Sequence, residues 1–238
     1  MFLLNIIIPV FNEGENIRKT LSEIKEKIHH KNVKISIVYD FVEDNTVPIV
    51  KDIIEKDSLT NVILLKNKYG KGVLNAIKTG FESITEGAAL VIMADLSDDL
   101  IVVDSMINMF VSGYDIVCGS RYMKGGQQKG GPLFKKILSR LAGVSLYYLI
   151  GIPTHDVTNS FKLYGKKVLD NIQIKSTGGF ELGMELVVKS YLKGFKIGEV
   201  PSCWQDRAFG QSNFKLWKWL PSYMYWYLFA VCNCLMGH

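Results

Sequence analysis

Short apolar runs alternate with longer amphipathic segments in the first part of the chain. The apolar runs, which are typical of strands covered on both faces, are residues 4–8, 33–39, 62–65 and 89–93. Apolar residues recur at helical spacing between them, in residues 16–28, 48–56 and 71–83. Units of this kind connect by right-handed crossovers and build a mostly parallel sheet with helices on both faces. The pattern therefore predicts a doubly wound α/β fold.

The second half of the chain has a different pattern. Residues 119–131, GSRYMKGGQQKGG, are rich in glycine and carry Arg121, Lys124 and Lys129. Such a composition predicts a mobile basic loop that closes over an anion. Two further helices are predicted at 133–150 and 181–193, and a short strand is predicted at 196–200.

Aromatic residues dominate the end of the chain, from 214 to 236. They are Trp217, Trp219, Tyr223, Tyr225, Trp226, Tyr227 and Phe229. Only about 16 residues follow Pro221, fewer than the ~20 that span a bilayer. The segment therefore fits a place at a membrane interface, where Trp and Tyr lie at the headgroup level and Lys215 and Lys218 meet anionic lipid. Packing of these aromatics as core, or as an oligomer contact, is an equal alternative.

Composition narrows the class of protein. A chain of 238 residues with 48% hydrophobic residues can bury one substantial core. The net charge of +5 is spread along the chain, which gives no footprint for nucleic acid. The four cysteines form no CxxC pair and no zinc spacing, so we expect reduced thiols in a cytoplasmic protein. The N-terminus lacks a basic region and meets Pro9 early, as a first strand does and a signal peptide does not.

Acidic residues follow three of the predicted strands. Glu13 follows the first strand, Asp40 the second, and Asp95 the fourth. Because ligands bind beyond the carboxyl ends of parallel strands, these acids would crowd one crevice and repel each other. A divalent cation holding a diphosphate relieves that repulsion, and Mg²⁺ or Mn²⁺ suits such oxygen ligands.

The acids of the sequence VIMADLSDDL are not equivalent. Ser97 is suited to cap a following helix, with Asp98 and Asp99 in its first turn. Asp95 comes before any helix begins, so we expect its carboxylate to point into the crevice.

The familiar phosphate-binding motifs are missing from the sequence. The stretch NKYGKG matches neither the GxxxxGK[ST] loop nor the dinucleotide fingerprint. A glycine turn with Lys68 and Lys71 near a helix N-terminus is a candidate contact for an anion. A simple turn explains the same residues equally well.

Seven segments, taken in order, resemble family-2 glycosyltransferases with a GT-A fold, and within them the group of dolichyl-phosphate mannose synthases and polyprenyl-phosphate glucosyltransferases. The segments are IIIPVFNEGENI, IVYDFVEDNT, NKYGKG, MADLSDD, GSRYMKGG, THDVTNSFKLYG and EVPSCWQDRAFGQSNF. Each is loosely defined alone, but their order is specific. The resemblance implies a GT-A domain over residues 1–213 and an aromatic tail over 214–238, peripheral at the cytoplasmic face of a membrane.

The resemblance also implies roles for residues at the nucleotide. The base and ribose of a nucleotide sugar would contact Pro9, Phe11, Glu13 and Asp40. Asp95 would bind the metal that bridges the diphosphate, with Ser97 in place of the usual amide side chain. Where the family pattern has Asp-Ala-Asp this chain has Met93-Ala94-Asp95, and Tyr39 replaces a second acid.

For an acceptor phosphate, the resemblance implies a second set of residues. They are Arg121, Lys135 with Ser139, and Arg207 with Ser212. Lys135 replaces an arginine, which keeps the charge but loses the bidentate fork.

The function implied is inverting transfer of a hexose from GDP-mannose or UDP-glucose to a dolichyl or undecaprenyl phosphate. A phosphate acceptor, with a second pKa near ~6, is already an anion and needs no strong base. A sugar hydroxyl in a glycan or glycolipid is the alternative acceptor; it requires a carboxylate base, for which Asp156 and Glu185 are the candidates. Otherwise Asp156 orders its loop and Glu185 lies on the surface of a helix. A nucleotide-binding protein without turnover is a third hypothesis.

Overall fold

A computed structural model describes residues 2–57, 59–206 and 216–236. The strands are β1 (Leu4–Val10), β2 (Val33–Tyr39), β3 (Val62–Lys66), β4 (Ala88–Val91), β5 (Ile116–Ser120), β6 (Gln127–Lys129), β7 (Lys162–Gly165), β8 (Ile197–Pro201) and β9 (Cys203–Gln205). The helices are α1 (Gly14–Lys27), α2 (Thr46–Asp57), α3 (Val73–Glu82), α4 (Val103–Val111), α5 (Leu133–Ile150), α6 (Lys166–Asn171), α7 (Leu182–Leu192) and α8 (Leu216–Leu235).

Seven strands form one sheet in the order β3-β2-β1-β4-β7-β5-β8. β1 pairs in parallel with β2 and β4, and β5 pairs in parallel with β8. β7 lies antiparallel between β4 and β5. The predicted mostly parallel sheet flanked by helices is therefore confirmed, and the carboxyl ends of β1, β2 and β4 meet at one edge.

The core lies on both faces of the sheet, since alternate residues of the central strand β1 point to opposite faces. Ile6 and Ile8 pack in the same cluster as Ile17 of α1, whereas Ile7 packs in the cluster of α3. Gly80 lets α3 approach the sheet, because a Cβ there would lie 2.5 Å from the side chain of Ile7. This tight packing holds the strand ends that carry the acids.

The glycine-rich segment 119–131 is only in part a loop. Its residues 127–129 form β6, which pairs in parallel with β9. Gln127 N–H donates to Ser202 O at 3.0 Å, and Asp206 N–H donates to Lys129 O at 3.0 Å. The prediction of a loop throughout was wrong because pairing with a distant strand has no local signal.

α8 contains the aromatic end of the chain and packs against α5 and α7. Trp226 and Ala230 are buried in the core, and Trp226 Nε1–H donates to Ser176 Oγ at 3.1 Å. Part of the tail thus packs as core, as the second interpretation holds. The proposed boundary between residues 213 and 214 lies outside the described residues. None of the helices in the described ranges has the length and apolarity that a membrane crossing requires.

Candidate active site

A cavity of about 1060 Å³ opens at the carboxyl ends of β1, β2 and β4 and continues between α5 and α8. It brings together most of the residues that the sequence predicted. Those that line it are Pro9, Phe11, Glu13, Asp40, Lys71, Asp95, Ser97, Arg121, Lys135 and Ser139. Asp156 and Glu185 do not line it, and Arg207 and Ser212 lie outside the described residues.

Asp40 is held rigidly just beyond the end of β2. Its Oδ1 accepts from Asn67 Nδ2 at 2.7 Å, and its Oδ2 accepts from Gly72 N–H at 2.9 Å. Gly72 has φ 125°, a left-handed backbone that favours glycine. Asn67, which follows β3 and is fixed by Thr79, was missed by the sequence analysis, although a polar residue directly after a strand was its signal.

Aromatic side chains form the outer wall at this end of the cavity. Phe11 is half exposed, and its ring centroid lies 5.6 Å from that of Phe41 at a steep angle. Lys71 Nζ lies 5.2 Å from the centroid of Phe41. An exposed ring beside a cation suits a flat heterocycle joined to an anion.

Asp95 presents its carboxylate from a tight turn after β4. Its Oδ1 accepts from Ser97 N–H at 3.1 Å, and the intervening Leu96 has φ 61°. Thr20 of α1 fixes the preceding residue, since its Oγ1–H donates to Ala94 O at 3.0 Å. The carboxylate is 8% exposed and lines the cavity.

Ser97 does not cap a helix, so that prediction was wrong. The following 3₁₀ turn, Leu100–Val102, is capped by Asp99, whose Oδ1 accepts from Ile101 N–H at 3.2 Å. Asp98 instead turns inward and its Oδ2 accepts from Met93 N–H at 3.1 Å. Burial raises the pKa of Asp98 to about 7, and the nearby charge of Asp95 adds to the rise.

The acids in the described part of the chain do not form a complete metal cage. Within residues 2–57, 59–206 and 216–236, no group of three or more His, Cys, Asp or Glu is placed to hold an ion. Mg²⁺ is commonly bound by one or two carboxylates together with substrate phosphates. Asp95 beside Ser97 fits that arrangement, in which the nucleotide completes the coordination.

Arg121 and Asp156 form a buried ion pair at the other end of the cavity. Arg121 Nε–H donates to Asp156 Oδ2 at 2.6 Å, and Nη2–H donates to Oδ1 at 2.9 Å. Nη2–H also donates to Thr158 Oγ1 at 3.0 Å. Although burial acts in the opposite direction, Arg121 lowers the pKa of Asp156. Asp156 therefore positions Arg121 and is unsuited to accept a proton as a base.

Glu185, like Asp156, is buried and held by hydrogen bonds. It is fully buried, and its two oxygens accept from Lys175 N–H at 2.6 Å and Ser176 N–H at 2.8 Å. Lys189 on the next turn of α7 pairs with it. The sequence analysis treated it as a base or as a surface residue, and its burial contradicts the surface alternative. It anchors the segment that leads to the cavity wall at Thr177 and Gly178.

A polar cluster joins the glycine-rich segment to α5. Tyr122 O–H donates to Gln128 Oε1 at 2.8 Å and also contacts the hydroxyl of Ser139. Lys136 Nζ–H donates to Gln128 O at 3.2 Å. Ser139 therefore lines the cavity with its hydroxyl already engaged by Tyr122.

The cavity becomes apolar between α5 and α8. Its walls there are Phe134, Leu138, Ala142, Leu220, Tyr223, Met224 and Tyr227. Phe134 is about half exposed, so this end reaches the surface. Sequence analysis did not assign these residues to the site because only the packing of α8 brings them there.

A family model described as Glycosyl transferase family 2 matches residues 5–173. Dolichol-phosphate mannosyltransferase of Pyrococcus furiosus is 29% identical over 216 residues, 89% of this chain and 59% of that protein. Polyprenol monophosphomannose synthase of Mycolicibacterium smegmatis is 28% identical over 216 residues, 87% of this chain and 79% of that protein. The chain thus spans less than two thirds of the first of these relatives.

Solved structures show the same fold at low sequence identity. Glucosyl-3-phosphoglycerate synthase of Mycobacterium tuberculosis, in complex with Mn²⁺, UDP and phosphoglyceric acid, has a TM-score of 0.67 at 13% identity, covering 99% of this chain and 78% of that chain. Mannosyltransferase PcManGT of Pyrobaculum calidifontis, in complex with GDP-Man and Mn²⁺, has a TM-score of 0.69 at 13% identity, covering 98% and 64%. The predicted GT-A fold is confirmed. Because the family model covers most of the chain, this protein belongs to glycosyl transferase family 2.

Proposed function

We propose that this protein transfers a hexose from a nucleoside diphosphate sugar to a polyprenyl phosphate, with inversion at the anomeric carbon. The observation that carries the proposal is the single cavity that joins an acidic, aromatic end to a cationic end and then to an apolar end. These three environments match a nucleotide, a phosphate and a lipid chain in that order. The names of the two curated relatives, a dolichol-phosphate mannosyltransferase and a polyprenol monophosphomannose synthase, support the same substrates.

The donor half of the proposal rests on the strand ends. Asp40 offers a fixed acceptor for base or ribose, and Phe11 offers a ring face. Asp95 and Ser97 would hold Mg²⁺ or Mn²⁺, which when bound neutralises charge on the leaving diphosphate. Solved relatives that bind Mn²⁺ with nucleotide sugars support a divalent ion of this kind.

The acceptor half rests on Arg121. Asp156 and Thr158 occupy its Nε and Nη2, and Nη1 makes no hydrogen bond to any described residue. The guanidinium is thus held at the cavity wall with one donor nitrogen left for a phosphate oxygen. Lys135 lines the same wall and adds charge.

The chemistry needs no general base if the acceptor is a phosphate monoester. One of its oxygens attacks the anomeric carbon opposite the diphosphate, and the bond from that carbon to the diphosphate breaks. The role of the protein is to hold two anions in line, which preorganised cations do at little cost during the reaction. Burial and full hydrogen bonding of Asp156 and Glu185 favour this acceptor over a sugar hydroxyl.

A membrane surface is part of the proposal, because an apolar face lies beside the apolar end of the cavity. On α5 the exposed residues are Leu133, Phe134, Ile137, Leu141 and Tyr148, and on α8 they are Trp217, Met224, Leu228 and Leu235. The rings of Phe134 and Trp217, 5.8 Å apart, join the two helices into one face. We name these residues the α5/α8 face and infer that it rests on the cytoplasmic leaflet, with the exposed Arg140 and Lys218 near the headgroups.

A transfer assay tests the function. The full chain is incubated with Mn²⁺, labelled GDP-mannose or UDP-glucose, and undecaprenyl phosphate in mixed micelles. We expect label in a lipid that mild acid releases, and none when undecaprenol replaces the phosphate. Label that enters only an acid-stable glycan would show a hydroxyl acceptor instead, and binding of nucleotide without any transfer would favour a non-catalytic protein.

A further inference from the structure

Tyr223 is a polar residue in the cavity to which neither the sequence nor the family resemblance assigns a role in binding substrate. It lies on α8, lines the cavity and is only partly exposed. Its neighbours in the cavity wall include Trp219 and Tyr227 of the same helix. Tyr223 therefore borders the cavity that holds the acceptor in the proposed function.

The hydroxyl of Tyr223 is uncommitted. No hydrogen bond of its hydroxyl to another residue is found within the described chain, whereas Tyr227 on the next turn pairs its hydroxyl with Ser145 at 2.9 Å. Polar groups inside a protein are almost always paired. A phenol that is left without a partner in a cavity is thus a candidate to bind a ligand.

Burial and the nearby charges keep the phenol of Tyr223 protonated. Burial raises the pKa of the phenol, Glu181 adds to the rise, and Arg121 opposes it. The group therefore remains protonated at neutral pH and acts as a donor. Tyr223 lines the same cavity as Arg121, the cation to which the proposed function assigns the acceptor phosphate.

α8 is fixed well enough to position this donor. Trp226, on the next turn, is buried and its Nε1–H donates to Ser176 Oγ at 3.1 Å. Lys189 of α7 lies 4.8 Å from the ring centroid of Trp226. Tyr227 is tied to α5 through Ser145. These contacts lie on both sides of the helix and restrict its rotation about its axis.

We propose that Tyr223 donates its hydroxyl hydrogen to a phosphate oxygen of the acceptor, beside Arg121, and so makes α8 a part of the acceptor phosphate site. This inference rests on the proposed function, since it takes the acceptor to be a phosphate monoester. The helix that borders the α5/α8 face would then also contact the reacting group. No covalent step is assigned to Tyr223, which binds and orients the acceptor.

Binding of farnesyl phosphate, a soluble isoprenoid monophosphate, tests the role. The full chain is titrated calorimetrically in the presence of Mn²⁺ and the nucleoside diphosphate that stabilises it best. We expect Tyr223→Phe to raise the dissociation constant about tenfold, as removal of a hydrogen bond to a charged group does. Binding of farnesol, which has no phosphate, and of the nucleoside diphosphate should be unchanged. In the transfer assay the acceptor KM should rise more than kcat falls.

Tyr225→Phe is the matched control. Tyr225 lies two residues away on α8, is largely exposed and does not line the cavity. The Tyr225→Phe variant should bind farnesyl phosphate with the affinity of the wild-type chain. Equal affinity of the wild type and Tyr223→Phe would overturn the inference alone, leaving the proposed function in place. Failure of the wild-type chain to bind farnesyl phosphate would overturn both.

Discussion

Met93 places an apolar side chain where the family pattern has an acid. Its side chain lines the cavity and also a small apolar pocket formed with Val73, Ile77 and Phe180. Its backbone N–H is held by Asp98. Asp95 is therefore left without the acid that the family pattern places two residues before it. Affinity for a divalent ion should depend strongly on the nucleotide, because the protein alone supplies few ligands.

Asp95→Asn should remove stabilisation by metal and nucleotide together. A bound ligand at a hundredfold excess over its Kd stabilises a fold by about 2.7 kcal/mol. We expect the wild-type chain to gain this stabilisation from Mn²⁺ with one nucleoside diphosphate and to gain little from either alone. The variant keeps the bond from Ser97 N–H and should fold normally, but thermal unfolding should show no metal-dependent gain. An unchanged gain would remove Asp95 from the metal site; Asp104→Asn, on α4, is the control.

Asp98 should make stability depend on pH. Its pKa is raised to about 7 in the folded state by burial, whereas in the unfolded chain an Asp titrates near ~3.9. Between these values the folded state binds more protons, so the free energy of unfolding should fall as pH rises from about 4 to about 7, by up to roughly 1.4 kcal/mol for each pH unit.

Asp98→Asn should flatten this dependence, because the amide has no charge to bury. Urea unfolding without metal or nucleotide, at several pH values, measures the difference between the two proteins. The free energy of unfolding of the variant, relative to that of the wild type, should increase as pH rises. Parallel curves for the two proteins would show that Asp98 has an ordinary pKa.

At the scale of elements, α8 is both part of the core and part of the surface. Trp226 is buried against α7, whereas Trp217, nine positions earlier on the same helix, is 74% exposed. The helix thus presents one side to the core and cavity, and another side to the surroundings. Substitutions on the two sides of α8 can therefore test its buried anchor and its exposed face separately.

Trp226→Ala should destabilise the fold by about 3–5 kcal/mol, since a large buried ring leaves a cavity and Ser176 loses its partner. Trp217→Ala, an exposed change of the same size, should alter stability by less than about 0.5 kcal/mol. Urea unfolding of both variants measures the two effects. Equal effects would mean that α8 is not packed as described.

At the scale of the whole molecule, the proposed function has the α5/α8 face bring the cavity to a lipid layer. Burying a leucine side chain gains about 1.5–3 kcal/mol. The double variant Leu141→Glu/Leu228→Glu should therefore float with anionic vesicles at least about tenfold less than the wild type. The double variant Ile101→Glu/Val111→Glu, at positions that are 69% and 70% exposed outside this face, adds the same two charges and should float normally. Loss of flotation in both proteins would indicate a charge effect unrelated to the face.

Periodicity predicted the β1–β4 half of the fold because its strands are buried on both faces and read as unbroken apolar runs. β5, β6, β7 and β9 were not predicted, nor were helices α4 and α6; β6 and β9 are only three residues long. β7 also contains Lys162, which is fully buried and donates from Nζ to the carbonyls of Val157 and Asn159. A local sequence pattern predicts that a lysine at this position lies on the surface.

The residues proposed from the sequence for the donor line the cavity, as do Arg121, Lys135 and Ser139 of those proposed for the acceptor. Asp40 stands directly after β2 and Asp95 four residues after the end of β4, so the topology of the sheet brings them to one edge. Glu185 and Asp156 were assigned by residue type, but their function depends on which backbone groups and cations the fold brings to them. Tyr223 entered the site only through the packing of α8 on α5 and α7.

The two half-exposed rings at opposite ends of the cavity, Phe11 and Phe134, imply two separate exits. In the proposed reaction the spent nucleotide departs past Phe11 toward water, whereas the glycosylated lipid slides out past Phe134 without leaving the leaflet. Neither product blocks the path of the other. Turnover then requires no obligatory order of release, and accumulation of one product should slow the enzyme only by competing with its own precursor.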